Sequence, residues 1–364
     1  MTSVAEMQIE VAGRQQSFTL SPCHLFIAEI SAKFKALWIT LKKIQSYFEP
    51  KRICDYLSSS LLRESSLMNP VFDILVVGGV GIDTIVKVPA LPLPQRDSVH
   101  VPAIIDYVAH TGNGVALGAQ ALGLRTKLID FIGADREAGL ILARYRQTGL
   151  DFSYLIEPSG TRRSVNLVDT NGRRLSLYDG RHPADLRMPR EFYYPWLTQT
   201  RHVHLSIMDW ARYLYDDIAA LPHTVTTSTD LHDWDGRAPY HREFALRADL
   251  VFVSAAALGE RYADVMREIL QQGRAKLVVV MAGERGSYLL ERASDDPVHF
   301  ACATPEAPVI DTNGAGDSFV SAFLHGYLQG LPAPDCMRHG AIAGAFACTC
   351  AGTHEQFLTH LTHI

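Results

Sequence analysis

Between Asp311 and Phe319 the chain reads DTNGAGDSF, so Gly314, Ala315 and Gly316 stand directly before the carboxylate of Asp317. Glycine inside an element lowers stability, so backbone without side chains must serve something here. Downstream, Phe319, Ala322, Phe323 and Tyr327 fall on one helical face, and Gly330 and Pro332 stop the pattern. The small residues therefore mark a helix N-terminus. There the first N–H groups lack partners, the helix dipole favours negative charge, and a phosphate can come close. An acid beside a phosphate repels it unless the acid has its own task. Taking a proton from an attacking hydroxyl is such a task. The stretch is suited to phosphoryl transfer: backbone N–H groups stabilise charge, and Asp317 orients and deprotonates the acceptor. The simpler alternative is an acid capping the helix start.

Positioning these groups requires a scaffold, and from residue 71 onward the pattern is α/β. FDILVVGG, RHVHLSI, ADLVFVS and AKLVVVMAG are short apolar runs, and helical segments such as YADVMREILQQG alternate with them. That alternation predicts a doubly wound, mostly parallel sheet. RSVNLVDTNGRRLSLYD breaks it with two strands around Asn171-Gly172, a hairpin signal. With SVHVPAIIDYVA it predicts a small β-sheet lid, over about 84–110 and 161–181, within a domain spanning 68–364. Residues 1–67 read as an N-terminal extension outside the core. It contains an amphipathic helix from Phe26 to Ile44 that could bind a partner.

Bulk properties narrow the function. The 364 residues carry a net charge of −5, which argues against nucleic acid as a partner. No apolar run is long enough to span a bilayer, and Met1 is not followed by a basic-then-apolar leader, so a cytoplasmic location is expected. The six cysteines form no CxxC pair and read as free thiols. His354, His360 and His363 cluster without a metal motif and read as a solvated terminal segment. GGVGID lacks the third glycine of a dinucleotide fingerprint, no Gly-Lys dipeptide forms a P-loop, and HRE at His241 has no DFG after it.

DTNGAGDSF resembles the C-terminal signature of the PfkB (ribokinase-like) carbohydrate kinases, and the resemblance extends over roughly 71–352. It implies Asp317 as catalytic base and Gly314, Ala315 and Gly316 as anion hole. Thr312 would stand near the nucleotide, and Asp311 near a monovalent cation such as K⁺. ATP and Mg²⁺ would be required. VVGGVGID resembles the family's first strand, whose acid, here Asp83, holds sugar hydroxyls. HTGNGVALGAQALG resembles the first signature, with Thr111-Gly112 in place of its glycine pair. Gly112 and Asn113 become substrate candidates. VVVMAGERGSYL resembles the nucleotide strand and turn, with Gly283 and Gly286 in place and Met281 where a threonine is usual. At the family's NxxE, Ser254 and Ala257 replace the Asn and Glu, and Ser254 is left as a nucleotide contact.

The implied activity is ATP-dependent phosphorylation of a sugar or sugar-like hydroxyl. The expected partners are that small molecule, or a nucleoside in its place, and a second copy of the chain joined through the lid. A non-catalytic sugar- or nucleotide-binding protein on the same fold is the alternative. The altered first signature favours it and the intact Asp317 loop opposes it.

Overall fold

The computed structural model describes residues 5–11, 14–20 and 70–361. The chain divides into two compact units, Met1–Met68 and Asn69–Ile364. In the first, strands β1 (Ala5–Val11) and β2 (Arg14–Leu20) pair antiparallel. The helix anticipated from Phe26 to Ile44 lies outside the described residues.

In the second unit, β3 (Phe72–Val77) lies between β6 (Thr126–Ile132) and β10 (Thr200–Leu205), parallel to both. β7 (Asp151–Ile156) extends the sheet beyond β6. On the other side follow β11 (Thr226–Asp230), β12 (Leu250–Ser254) and β13 (Leu277–Met281), still parallel. β14 (Ser287–Glu291) and β15 (Val298–Phe300) close that edge antiparallel. The chain thus winds outward in both directions from β3. The crevice at the carboxyl ends of β3 and β10 is the topological switch point, where such sheets bind ligands.

Successive side chains of a strand point to opposite faces, and both faces are covered. Ile74, Val76, Leu128, Phe252 and Val279 pack under helices α1 (Thr111–Ala121) and α2 (Arg136–Thr148), and under α7 (Ala315–Leu328) and α8 (Ala333–Cys348). Leu75, Val77, Val203, Val251 and Val278 pack under α3 (Arg190–Leu197), α4 (Leu214–Ala219), α5 (Pro239–Arg247) and α6 (Tyr262–Gln272). β11 reads TTSTD, yet Thr227, Ser228 and Thr229 are fully buried. Their hydroxyls are bonded inside: Thr229 donates to the Leu205 carbonyl, Thr227 donates to Asp249, and Ser228 meets both His202 and His204. Burial pushes both imidazoles down to about 3, so they stay neutral.

A second sheet holds β4 (Gly81–Lys87) between β5 (Ile105–Ala109) and β8 (Arg163–Val168), with β9 (Arg174–Asp179) outermost. β8 and β9 form the hairpin signalled by Asn171-Gly172. In this register Asp83 and Lys87 of β4 share a face with Ser164 and Asn166 of β8 and with Arg174, Ser176 and Tyr178 of β9.

Because β3 is enclosed by strands and helices of its own unit, a chain beginning at Met68 is expected to keep one cooperative thermal transition. Aggregation of that shortened chain, or a lost transition in calorimetry, would place residues 1–67 in the core.

Candidate active site

α7 begins in the left-handed region, with φ 78° at Gly314, and no side chain caps it. The Ala315 N–H reaches only the Thr312 carbonyl, at 3.4 Å, and the first N–H groups of a helix have no acceptor within it. A bare start of this kind leaves N–H groups free to meet an anion. The preceding loop is shaped by Asp311, whose Oδ1 accepts from the Asn313 backbone N–H (3.0 Å) and side-chain amide (2.8 Å). Two lid cations grip the same loop. Lys87 Nζ lies 3.1 Å from Asp311 Oδ2, and Arg174 donates to Asn313 Oδ1 at 2.7 Å. Asp311, anticipated beside a monovalent cation, therefore faces an ammonium group of the protein itself.

Asp317 stands in the first turn of α7, and its Oδ2 accepts from His354 Nε2 at 2.8 Å. His354 is 5% exposed. The expectation of a solvated C-terminal histidine segment thus fails for it, because the chain after α8 turns back under α1. His360 is exposed, and His363 lies outside the described residues.

Asp83, on the lid, is paired in the same way. Its Oδ1 accepts from Ser164 Oγ (2.8 Å) and lies 3.3 Å from His110 Nε2. Burial opposes the charge of this carboxyl, but the hydrogen bond and charge of His110, then Ser164, outweigh it and hold the group below its ordinary range. Tyr178 packs its ring against His110, 5.8 Å between centroids. Arg181 folds back on Asp179 at the hairpin end.

Gly112 sits where an added Cβ would lie 1.8 Å from the Gly78 carbonyl oxygen, which fixes the start of α1 against the β3 turn. Asn113, anticipated as a substrate contact, is fully buried. Its amide is bonded to the Val108 carbonyl, Tyr145 and His354, so it reaches the site only through His354.

On the nucleotide side, Gly283 (φ 59°) faces open space. Gly286 (φ 85°) has the Phe300 carbonyl 2.1 Å from where its Cβ would be. Ser254 Oγ accepts from the Ala256 N–H at 3.2 Å, and Thr312 is exposed. Among the described residues no group of three His, Cys, Asp or Glu is placed to hold a metal ion. A divalent ion here would take most of its ligands from phosphate and water, as Mg²⁺ commonly does. The uncapped helix and the open Gly283 turn fit a phosphate donor.

Sequence reasoning did not identify His110, His354, Lys87 and Arg174 as parts of the site. One physical signal marks the first two: His110 (φ 72°) and His354 (φ 60°) hold left-handed backbone that histidine seldom adopts.

A doubly wound sheet with a separate small sheet is the architecture of the ribokinase-like proteins. The family model described as "pfkB family carbohydrate kinase" matches residues 71–360, and the chain belongs to that family. It is an ATP-dependent carbohydrate kinase. It is similar to an acarbose 7(IV)-phosphotransferase of Actinoplanes sp., 47% identical over 282 residues, covering 77% of this chain and 93% of that protein. A fructoselysine 6-kinase of Escherichia coli is 30% identical over 234 residues, with 64% and 85% covered. The solved structure of a microbiome-derived acarbose kinase, Mak1, superposes with a TM-score of 0.73 at 49% identity, covering 79% of this chain and 95% of that one. Among the described residues no helix is long and apolar enough to cross a membrane.

Asp230, at the end of β11, is a third acid beside this centre. Burial pushes it up to about 6, against the opposing charge of His232. A raised carboxyl stabilises the fold below its unfolded value of 3.8, and that contribution disappears as pH rises through about 6. Asp230→Asn should remove this component. Relative to the unsubstituted chain, it is expected to gain on the order of 2–3 kcal/mol between pH 4 and pH 7. Denaturant unfolding at the two pH values checks this, and an unchanged difference would mean the acid is ionised at no cost.

Proposed function

We propose that this kinase transfers the terminal phosphoryl group of ATP to a hydroxyl of an oligosaccharide-like substrate of the acarbose type. The observation that carries the mechanism is the pairing of a bare, uncapped helix start with Asp317, one of whose oxygens is held by His354. Asp317 takes the proton of the acceptor hydroxyl as that oxygen forms its bond to phosphorus. The N–H groups of Gly314, Ala315 and Gly316 receive the charge that develops on the moving group. ATP would supply the phosphoryl group, and a divalent ion bound with it, taking its ligands mostly from phosphate and water, would neutralise its charge. Gly283 leaves room for the nucleotide, with Gly286, Thr312 and Ser254 at its border. At Asp311 we assign charge neutralisation to Lys87 in place of K⁺.

Asp83 orients the sugar by accepting hydrogen bonds from its hydroxyls. Of the other groups on that lid face, Ser164 and Asn166 are buried, and the exposed Ser176 donates to Asn166. The name of the 47%-identical relative supports the same substrate class. On the opposite lid face Leu175 and Leu177 are 49% and 55% exposed, and we assign pairing with a second copy to that face.

ADP release with acarbose is expected to exceed that with monosaccharides, fructoselysine or nucleosides. Turnover of a nucleoside alone would move the chain to the nucleoside kinases. No turnover on any of them would favour a binding protein. Asp317→Asn keeps size and fold, and its kcat should fall by roughly 10²–10⁴ with ATP still bound. A variant keeping more than about a tenth of the rate would exclude Asp317 as the base. Asp83→Ala should raise the sugar KM by about 10- to 100-fold and leave the ATP KM nearly unchanged. Equal weakening of both ligands would mark Asp83 as structural.

A further inference from the structure

The hydrogen bonds around His354 determine which of its ring nitrogens carries the proton. The Val108 carbonyl can only accept, so the Asn113 atom 3.0 Å from it is the amide nitrogen. The Asn113 carbonyl then faces Tyr145, whose hydroxyl donates to it at 2.9 Å. The second amide hydrogen of Asn113 points at His354 Nδ1, 3.0 Å away, and that nitrogen must accept. The ring proton is therefore on Nε2, directed at Asp317 Oδ2.

The surroundings are built around this ring. A Cβ on Gly114 would lie 2.3 Å from His354 Nε2 and 2.6 Å from Asp317 Cβ, and one on Gly314 would lie 2.7 Å from His354 Cδ2. Two glycines, one from each helix start, make room for it. Phe357 stacks on the ring, 6.0 Å between centroids. Arg144 donates to the carbonyls of His354 (3.0 Å) and Glu355 (3.1 Å) and so holds backbone that would otherwise relax from φ 60°.

We infer that His354 is the positioning residue of the reaction: a neutral imidazole, oriented by Asn113 and Tyr145, that fixes one oxygen of Asp317 and leaves the other for the acceptor hydroxyl. This rests on Asp317 being the base. A neutral N–H donor stops the carboxylate from rotating without placing a full positive charge on the group that must take a proton. A carboxylate held this way presents one lone pair to the substrate in every turnover.

Histidine-selective ¹⁵N spectra of the full chain, without ligand, test the first half. The His354 signal is assigned by its loss in His354→Gln. A ring protonated on Nε2, with a signal that shifts in Asp317→Asn, is expected. A ring protonated on Nδ1 overturns the inference.

Kinetics with ATP and acarbose test the second half. His354→Asn should lower kcat by about 10- to 100-fold and leave both KM values within about threefold. His354→Gln, whose amide nitrogen falls near the place of Nε2, should recover most of that loss. Tyr145→Phe leaves His354 in place and should lower kcat by a smaller factor. Wild-type kcat in His354→Asn, or a loss that glutamine does not relieve, overturns the inference. In an Asp317→Asn background, adding His354→Asn should change kcat no further. Full kcat in Asp317→Asn alone would instead remove Asp317 as the base, leaving the tautomer measured in the spectra as it is.

Discussion

Asp130 and Arg162, an ion pair with both side chains buried, fix where the lid leaves the sheet. Asp130 belongs to β6 of the central sheet. Its Oδ2 also accepts from the Val80 N–H at 2.8 Å, and Arg162 donates to the Val80 carbonyl at 3.2 Å. Val80 immediately precedes β4, and Arg162 immediately precedes β8. One carboxylate thus ties the roots of the two central lid strands to the core. Loss of either partner would leave an uncompensated buried charge, which typically costs 3–5 kcal/mol. The position of Asp83 depends on this joint, and so does the reach of Lys87 and Arg174 to the loop before α7.

Both acids at the centre are treated alike. Each is an Asp paired with a histidine whose backbone is left-handed; His110 joins β5 to α1, and His354 meets Asn113 in the first turn of that helix. The lid acid binds and the helix acid reacts, in the reading proposed here. Strain of this kind persists only where the surroundings overdetermine it. At His354 these surroundings are Arg144, Asn113 and two glycines.

Much of the scaffold was legible because local pattern and global role agree. β3, β6, β12 and β13 are apolar runs covered on both faces, and a parallel sheet needs that. The loop and helix start before Asp317 were legible because glycine and acid lie next to each other in the chain. β11 was not: Thr227, Ser228 and Thr229 look like a loop until His202, His204 and Asp249 supply partners for their hydroxyls. Asn113 was misplaced as a substrate contact because its polarity is visible in sequence and its burial is not. His354 lies 37 residues beyond Asp317, in a stretch, AGTHEQF, without periodicity or motif. Only the folded chain shows what it touches.

The Asn113–His354 contact joins residues separated by 241 positions. Loop-closure entropy must be overcome before so distant a contact forms, and contacts of this range belong to the slow part of folding. The segment carrying His354 is therefore expected to dock after the sheet and its first helices have formed. Partly folded chains would carry a nearly complete sheet and an unfinished base, so they would bind neither sugar nor nucleotide productively. Recovery of phosphorylation during refolding should trail the recovery of secondary structure, making turnover a report on the last step of assembly.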